Sequence, residues 1–453
     1  MSIKNNVQLK LPVIAQKGRL NDKLVQLICA PLFWILAISA IIRYVYYSVL
    51  LNTIAVDSAS YLNFHANILL GETDGRRTPV YPYFIKLINL FGSQSLIDHI
   101  VTAQILISFL SIILFYKIVR TFFKSRIMIF VASISYGAML PIINFDKMVL
   151  TESLSVTFGL IFMYMVINYL QKPAHLKAWL LTLFVFIAIM LRPSFIYLLP
   201  LVIVFWGLRL LIFKKDRSMC LSGLAASVVV IFLILGYSVL NKRNNGFNGI
   251  SQISNGNQMA VIVGANIYMY GNDTEISTAV KYNSELEQKY PGKHVSGINI
   301  MQRFDPDRVH IFIVNCIKNR PVAYMQYIGS KLFDLQAVNI FTNYAGHKRS
   351  SLAFKIEKAE YSIFYITFNI LYFFILLDLI LIIIVWIKNR QTPWFNMVLW
   401  LLICGQMTIA ILGGYSEYQR LILAIIPALL IASFSYIDKI YFMVDIKRRS
   451  VLV

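Results

Sequence analysis

The sequence predicts an all-α, polytopic membrane protein, and three observations support this fold class. Of the 453 residues, 58% are apolar and only 14% are charged, whereas a soluble domain is about 45–50% apolar and roughly 25% charged. The mean hydropathy is +0.67, and apolar runs long enough to cross a bilayer recur along the chain. This composition excludes a soluble globular enzyme, a disordered regulator and a secreted disulfide scaffold.

The apolar runs predict about ten membrane-spanning helices, because a spanning helix needs about 20 mostly apolar residues. Pro193 separates the short fifth span from the sixth, and these two spans are alternatively one broken hairpin. The predicted spans are residues 26–51, 100–119, 127–144, 149–170, 178–191, 194–213, 219–240, 361–387, 394–413 and 421–442.

The net charge of +21 comes from 42 Lys and Arg residues against 21 Asp and Glu residues. In membrane proteins Lys and Arg accumulate in cytoplasmic loops, so this excess indicates topology rather than nucleic-acid binding. With both termini placed in the cytoplasm, the short outer turns contain only Lys147 and Arg192, and Arg420 lies at the edge of the last span. We therefore expect a multi-pass protein whose two termini lie in the cytoplasm.

The same topology divides the chain into five regions. In the first long outer loop, residues 52–99, apolar residues at helical spacing over 80–91 predict a helix in the membrane interface. In the second long outer loop, residues 241–360, Asp305 and Pro306 predict the start of a helix, and a further helix begins near Pro321. We therefore expect this loop to form a mostly helical cap, with a solvated connector as the alternative. The regions are a cytoplasmic N-terminal segment (1–25), a transmembrane core that includes the first outer loop (26–240), an extracytoplasmic cap (241–360), C-terminal transmembrane helices (361–442) and a cytoplasmic basic tail (443–453).

Few ionisable residues fall inside the predicted spans. Arg43 lies in the outer third of the first span, from where its side chain can snorkel outward, and Asp378 is alone in the eighth span. A transporter needs polar groups at the bilayer midplane, whereas an enzyme that acts on a lipid-linked substrate needs them at the headgroup level. The second pattern is the one found here, at the outer face, in Asp57, Arg76, Arg77, Asp146, Lys147, Glu152, Arg192, Glu417 and Arg420.

These outer-face residues also have structural interpretations. Asp57 can cap a helix or pair with a nearby Arg. Glu152 is in a first helical turn, where the helix dipole favours an acidic residue, and Asp146 or Thr151 can be an N-cap. The tyrosines of the outer face can belong to an interfacial aromatic belt. Residue types alone leave both interpretations open.

Several short motifs share the outer side of the membrane and follow one another in a fixed order. The motifs are Asp57 with Tyr61 after the first span, Arg-Thr-Pro-Val-Tyr-Pro at 77–82, Thr-Glu-Ser at 151–153, Arg-Pro at 192–193, a Pro-x-x-Tyr segment at 321–324, and a Tyr/Arg turn at 415–420 that leads into a span containing Pro427. Their order and sidedness resemble the GT-C superfamily of polyprenyl-phosphate-sugar-dependent glycosyltransferases over most of residues 26–430. The resemblance is strongest to the bacterial branch related to protein O-mannosyltransferases and aminoarabinose transferases, which implies a location in a bacterial inner (plasma) membrane.

This resemblance implies transfer of a sugar from a polyprenyl phosphate, usually with inversion, to a cell-envelope glycan, lipid or protein at the extracytoplasmic face. A hydroxyl acceptor needs a general base, and Asp57 matches the acidic residue of the family's first loop. Arginine suits the phosphate leaving group. The phosphate-binding candidates are Arg192 and Arg420, then Arg76 and Arg77, and the candidates for binding sugar or acceptor are Glu152, Tyr61, Tyr81, Tyr415 and Glu417.

The chain departs from members of the family that carry paired acidic residues in the first loop and use a metal. Asp57 is followed by Ser58 and Ala59, and the six His residues form no ligand pair at helical spacing. We therefore expect no metal and no other cofactor. Two other functions remain as alternatives, an O-antigen polymerase or ligase and a non-enzymatic lipid or sugar flippase.

Overall fold

The computed structural model describes residues 30–49, 57–289, 303–333, 394–413 and 418–451, apart from positions 91, 93, 214 and 215, together with a few isolated residues near 52–55 and 377–384. Every regular element in these residues is a helix, which confirms the all-α fold class. The α-helices are α1 (Pro31–Val49), α2 (Ser58–Leu62), α3 (Val80–Asn89), α4 (Leu96–Phe122), α5 (Arg126–Gly137), α6 (Leu140–Asp146), α7 (Glu152–Gln171), α8 (His175–Leu191), α9 (Leu198–Ile212), α10 (Arg217–Asn245), α11 (Ile253–Gly264), α12 (Thr274–Lys289), α13 (Pro306–Asn319), α14 (Pro321–Phe333), α15 (Trp394–Gly413), α16 (Tyr418–Ile422) and α17 (Ile426–Val451).

Seven helical stretches in the described part of the chain are long and apolar enough to cross a membrane, and two shorter apolar helices, His175–Leu191 and Trp394–Ala410, accompany them. These helices agree with all the predicted spans except residues 361–387. Most of that predicted span lies outside the described residues. The chain is therefore a multi-pass membrane protein, and the count of about ten spans stays a prediction. One large apolar core joins these helices, and within it α7 packs against α4 and α8 packs against α10.

The first outer loop contains the predicted amphipathic helix as α3, Val80–Asn89. Tyr81, Pro82 and Ile85 are buried on one face, whereas Leu87 and Leu90 are exposed. Exposed leucines on an amphipathic helix suit the membrane interface, and that location stays a prediction.

The described part of the cap, residues 241–289 and 303–333, has an apolar core of its own. Met259, Ile262, Phe312 and Ile313 are almost completely buried within it. Asp305 accepts a hydrogen bond from the backbone N–H of Arg308 at 3.0 Å, so the predicted helix start is confirmed there. Because these helices share a packed core, the alternative of a solvated connector does not hold for this part of the cap.

Two structural interpretations of charged residues are wrong. Arg43 does not reach the surface, because its side chain is 2% exposed and its Nη1 pairs with Oδ2 of Asp146 at 3.1 Å. Asp146 is accordingly fully buried in an ion pair rather than capping α7. Asp378 is alone within its predicted span, and Lys439 of the last span donates to its Oδ1 at 2.8 Å.

Candidate active site

Five predicted side chains from separate segments meet in one chain of ion pairs. Asp57 accepts from Nη2 of Arg77 at 2.7 Å through Oδ1 and from Nη2 of Arg420 at 2.9 Å through Oδ2. Arg420 also donates through Nε to Oε1 of Glu152, the same oxygen that accepts from Nη2 of Arg192 at 3.0 Å. Arg420 therefore joins the two carboxylates. All five residues were candidates for the site in the sequence analysis, and in the structure they lie in contact. We call these five residues the outer cluster.

The turn before α2 places Asp57. The hydroxyl of Ser58 accepts from the backbone N–H of Ala55 at 2.9 Å and donates to the carbonyl of Val149 at 2.9 Å. Val149 belongs to the short stretch that leads into α7, whose first residue is Glu152. This hydrogen bond therefore holds the two carboxylate-bearing segments next to each other.

Arg192 owes its position to the proline that follows it. A residue before proline is disfavoured in the α-helical region, and α8 ends at Leu191 with Arg192 in an extended conformation at φ −150° and ψ 118°. The guanidinium is thereby directed from the end of α8 toward Glu152. Its Nη1 is buried and has no hydrogen-bond partner in the described part of the chain, so one donor is available to a ligand.

Arg77 is held on several sides by the first outer loop. Its Nε donates to the hydroxyl of Ser60 at 2.6 Å and its Nη1 to the hydroxyl of Tyr61 at 2.9 Å. The guanidinium carbon lies 4.2 Å from the centre of the Tyr61 ring, a distance at which cation–π attraction adds to the hydrogen bonds. Tyr61 thus orients Arg77, and a sugar contact by this tyrosine stays a prediction.

Tyr81 has a different environment from the one expected of a sugar-stacking residue. It is 0% exposed, its ring packs edge-on against Tyr61 at 4.9 Å, and its hydroxyl donates to Oε1 of Gln104 at 2.6 Å. The amide of Gln104 in turn donates to the carbonyls of Met148 at 2.7 Å and Asp146 at 3.1 Å. Gln104 therefore links the first outer loop to the stretch before Glu152.

Sequence reasoning missed Gln104, although a signal was present. It is a polar residue near the start of the predicted span 100–119, and polar side chains in membrane spans usually face the protein interior and have a partner. The pattern shows that a partner is needed, but it does not show which one.

The outer cluster has an excess of positive charge. Three guanidinium groups face two carboxylates, and the side chain of Glu152 is 0% exposed whereas that of Asp57 is 31% exposed. Burial alone would raise the pKa of Asp57, but the charges of Arg77 and Arg420 outweigh burial and hold the pKa below its ordinary value. The cluster is therefore suited to binding an anion next to a carboxylate that solvent can reach.

The other predicted site residues have different positions. The side chain of Arg76 is exposed, and Arg77 rather than Arg76 pairs with Asp57. Tyr415 and Glu417 lie outside the described residues.

Metal binding is not favoured by the donor set of the outer cluster. Its two carboxylates are already paired with arginines, and a divalent cation would add to an existing positive excess. Within the described residues, no group of three or more His, Cys, Asp and Glu side chains is arranged to hold a metal ion. Independence from metal nevertheless stays a prediction.

Residues 76–240, a little over a third of the chain, match the family model of dolichyl-phosphate-mannose-protein mannosyltransferase. The matched segment contains Arg77, Glu152 and Arg192 of the outer cluster. The match agrees with the GT-C resemblance that the motifs predicted. A search of curated protein sequences finds no significant match.

Solved structures similar to this chain include an oligosaccharyltransferase of Archaeoglobus fulgidus. Its apo form has 13% identity and a TM-score of 0.44 over 82% of this chain and 43% of that one. The oligosaccharyltransferase AglB from the same organism, in complex with an inhibitory peptide and a dolichol-phosphate, has 11% identity and a TM-score of 0.45 over 92% and 51%. The chain spans about half the length of these structures. The GT-C resemblance therefore rests on the motifs and the family match, and these structures add nothing to it.

Proposed function

We propose that this protein transfers a sugar from a polyprenyl-phosphate donor to a hydroxyl of a cell-envelope glycan, lipid or protein, with Asp57 as the general base. The observation that carries the proposal is the outer cluster, in which an accessible carboxylate lies between two arginines, one of which, Arg420, also pairs with a second, buried carboxylate. The donor class is supported by the matched family, whose sugar donor is a dolichyl-phosphate-mannose.

The chemistry requires a base and a site for negative charge. As the acceptor hydroxyl attacks the anomeric carbon, its proton passes to Asp57 and a new carbon–oxygen bond forms. The bond from the anomeric carbon to the phosphate oxygen breaks, and its electron pair stays with the departing polyprenyl phosphate. Attack from the opposite side inverts the anomeric configuration, which is the outcome we expect.

The arginines are suited to the leaving group, because a guanidinium stays charged and pairs with phosphate through two parallel hydrogen bonds. The unpartnered Nη1 of Arg192 and the Asp57-bound groups of Arg77 and Arg420 are the donors we assign to the phosphate. When the phosphate takes over contacts to Arg77 and Arg420, the Asp57 anion loses stabilisation and its pKa rises. Donor binding would thus turn an ion-paired carboxylate into a stronger base.

Glu152 is assigned the task of holding Arg192 and Arg420 in place. Its side chain is 0% exposed and one of its oxygens accepts from both arginines, so a direct contact with sugar is not required. We place the site at the extracytoplasmic face, because the distribution of Lys and Arg favours cytoplasmic termini.

The test uses the full chain purified in detergent and a panel of radiolabelled polyprenyl-phosphate sugars. We expect the wild type to consume one of them, and Asp57→Asn to lose turnover by at least about 100-fold, the scale of general-base catalysis, while still binding the donor. Asp98→Asn is the matched control, since Asp98 begins α4 on the same side and its Oδ1 accepts from Asn52 at 2.5 Å, outside the outer cluster.

Two outcomes would contradict the proposal. Consumption of no polyprenyl-phosphate sugar by the wild type would remove the donor class, and diphosphate-linked glycans would then be tested for the polymerase or ligase alternative. Sugar transport across vesicles that survives Asp57→Asn would instead favour the flippase.

A further inference from the structure

The segment from Gly71 to Arg77 is irregular, yet it has to place one guanidinium against Asp57. Gly71 has the left-handed φ of +76°. Asp74 accepts through Oδ1 from the backbone N–H groups of Arg76 at 2.7 Å and Arg77 at 2.9 Å, which is an Asx turn. These local bonds shape the turn, but they do not fix it relative to the helices of the core.

Three asparagines at the end of α10 supply that fixation. The amide of Asn245 donates to the carbonyl of Thr73 at 2.9 Å and to its hydroxyl at 3.0 Å. Asn244 donates to the carbonyl of Gly71 at 2.7 Å. Asn241, which is 0% exposed, accepts from the hydroxyl of Thr73 at 3.2 Å and from the amide of Asn245 at 2.8 Å.

Two residues at the start of the cap, Ser251 and Gln252, bind the same segment at Gly75 and Arg76, immediately before Arg77. The backbone N–H of Gln252 donates to the carbonyl of Gly75 at 2.8 Å, and the hydroxyl of Ser251 donates to the carbonyl of Arg76 at 2.6 Å. A Cβ at Gly75 would lie 2.8 Å from Nε2 of Gln252 and 3.1 Å from Cβ of Asn245. Only glycine fits this approach without displacement of a neighbour.

We propose that Asn241, Asn244 and Asn245, which we call the asparagine clamp, act with Ser251 and Gln252 as positioning residues for Arg77. The clamp connects α10 and the cap to the backbone immediately before Arg77, and through Arg77 to Asp57. Its catalytic consequence rests on the proposed function, because a misplacement of about 1 Å at a reacting group lowers a rate by as much as 100-fold. Through this segment, Ser251 and Gln252 of the cap then contribute to the geometry of the outer cluster.

The first experiment needs no enzymatic activity. Arg76 is exposed, so trypsin can cleave the segment once the segment opens. We expect Asn245→Ala to accelerate cleavage after Arg76 or Arg77 about tenfold in the purified full chain. Asn248→Ala is the matched control, because the Asn248 side chain accepts from the hydroxyl of Ser238 at 2.9 Å instead of contacting the segment. Equal cleavage rates for the two variants would overturn the clamp.

The second experiment tests positioning through kinetics. We expect Asn245→Ala and Thr73→Val to lower kcat about tenfold with little change in the KM for acceptor, and Thr73→Ser, which keeps the hydroxyl, to retain wild-type kcat. In an Arg77→Gln background, Asn245→Ala should lower kcat no further, because both changes act on one interaction.

The outcomes separate the two proposals. An unchanged kcat in Asn245→Ala, despite faster cleavage, would overturn the positioning role, as would additive losses in the double variant. Absence of sugar transfer by the wild type would overturn the proposed function, and the cleavage rates would still decide whether the clamp holds the segment.

Discussion

Two of the networks of buried charge in the described part of the chain are built differently. In the first, Arg43 and Asp146 form a balanced pair with side chains 2% and 0% exposed. The hydroxyls of Tyr47 and Ser153 donate to the Asp146 carboxylate at 2.7 and 2.5 Å. The outer cluster instead has more arginines than carboxylates, and Asp57 is 31% exposed. Charge balance and closure suit a structural role, whereas imbalance and access suit a ligand.

Arg43→Met provides the largest expected change in stability. Breaking a buried pair leaves Asp146 charged and unpaired, which costs about 3–5 kcal/mol, and we expect a correspondingly lower free energy of unfolding for the purified protein in denaturant. Arg43→Met combined with Asp146→Leu should be less destabilising than Arg43→Met alone, because removal of both charges removes the desolvation penalty. A double variant less stable than the single one would contradict this expectation, because it would mean that the Asp146 side chain stabilises the fold even without Arg43.

Arg420→Gln tests the opposite property of the outer cluster. Loss of a charge that stabilises the leaving phosphate should lower kcat about 100- to 1000-fold, with a smaller effect on unfolding than Arg43→Met. In contrast to the Arg43 and Asp146 pair, the second substitution Glu152→Gln should not restore activity. The readout is single-turnover sugar transfer by folded protein, and recovery in the double variant would assign a structural role to Arg420.

Gln104→Leu is expected to lower both stability and kcat, each by less than the substitution in the corresponding network. It leaves the Tyr81 hydroxyl without an acceptor and removes the Gln104 donor from the carbonyl of Asp146, whereas the carbonyl of Met148 still accepts from the backbone N–H of Leu150 at 2.8 Å. An unsatisfied buried group costs about 1–3 kcal/mol. We expect lower stability and a kcat reduced roughly tenfold. Ser111→Ala is the control, since Ser111 pairs with Tyr136 at 2.6 Å in another part of the core and should leave kcat unchanged.

The sequence predicted the fold well because apolar runs and basic loops follow from the bilayer itself. It also named all five members of the outer cluster, since their motifs share one side of the membrane. It could not separate Arg77 from Arg76, because the Asx turn and the asparagine clamp decide which guanidinium meets Asp57. It also missed the pairing of Arg43 with Asp146, two residues 103 positions apart. Long-range partners of this kind have no local pattern.

The pH dependence of transfer gives the smallest expected effect and the sharpest test of the charges around Asp57. Its pKa is held below its ordinary value by Arg77 and Arg420 against the effect of burial, so Asp57 stays ionised at and above about pH 4, the usual pKa of an Asp side chain. We expect kcat/KM, which reports free enzyme, to stay level from neutral pH down to about pH 4 and to fall only below it.

Arg77→Gln removes one of the two charges, so the acidic limb should move to higher pH as the carboxylate protonates more easily. The same ion pairs stabilise the fold above the unfolded-state pKa, and that contribution is lost as the pH falls through the lower folded-state pKa. Asp57→Asn should therefore reduce the loss of the free energy of unfolding at acidic pH. In the kinetic experiment, the control Asp98→Asn should leave the acidic limb of kcat/KM at the wild-type pH. An acidic limb that does not move in Arg77→Gln would mean that a group other than Asp57 accepts the proton.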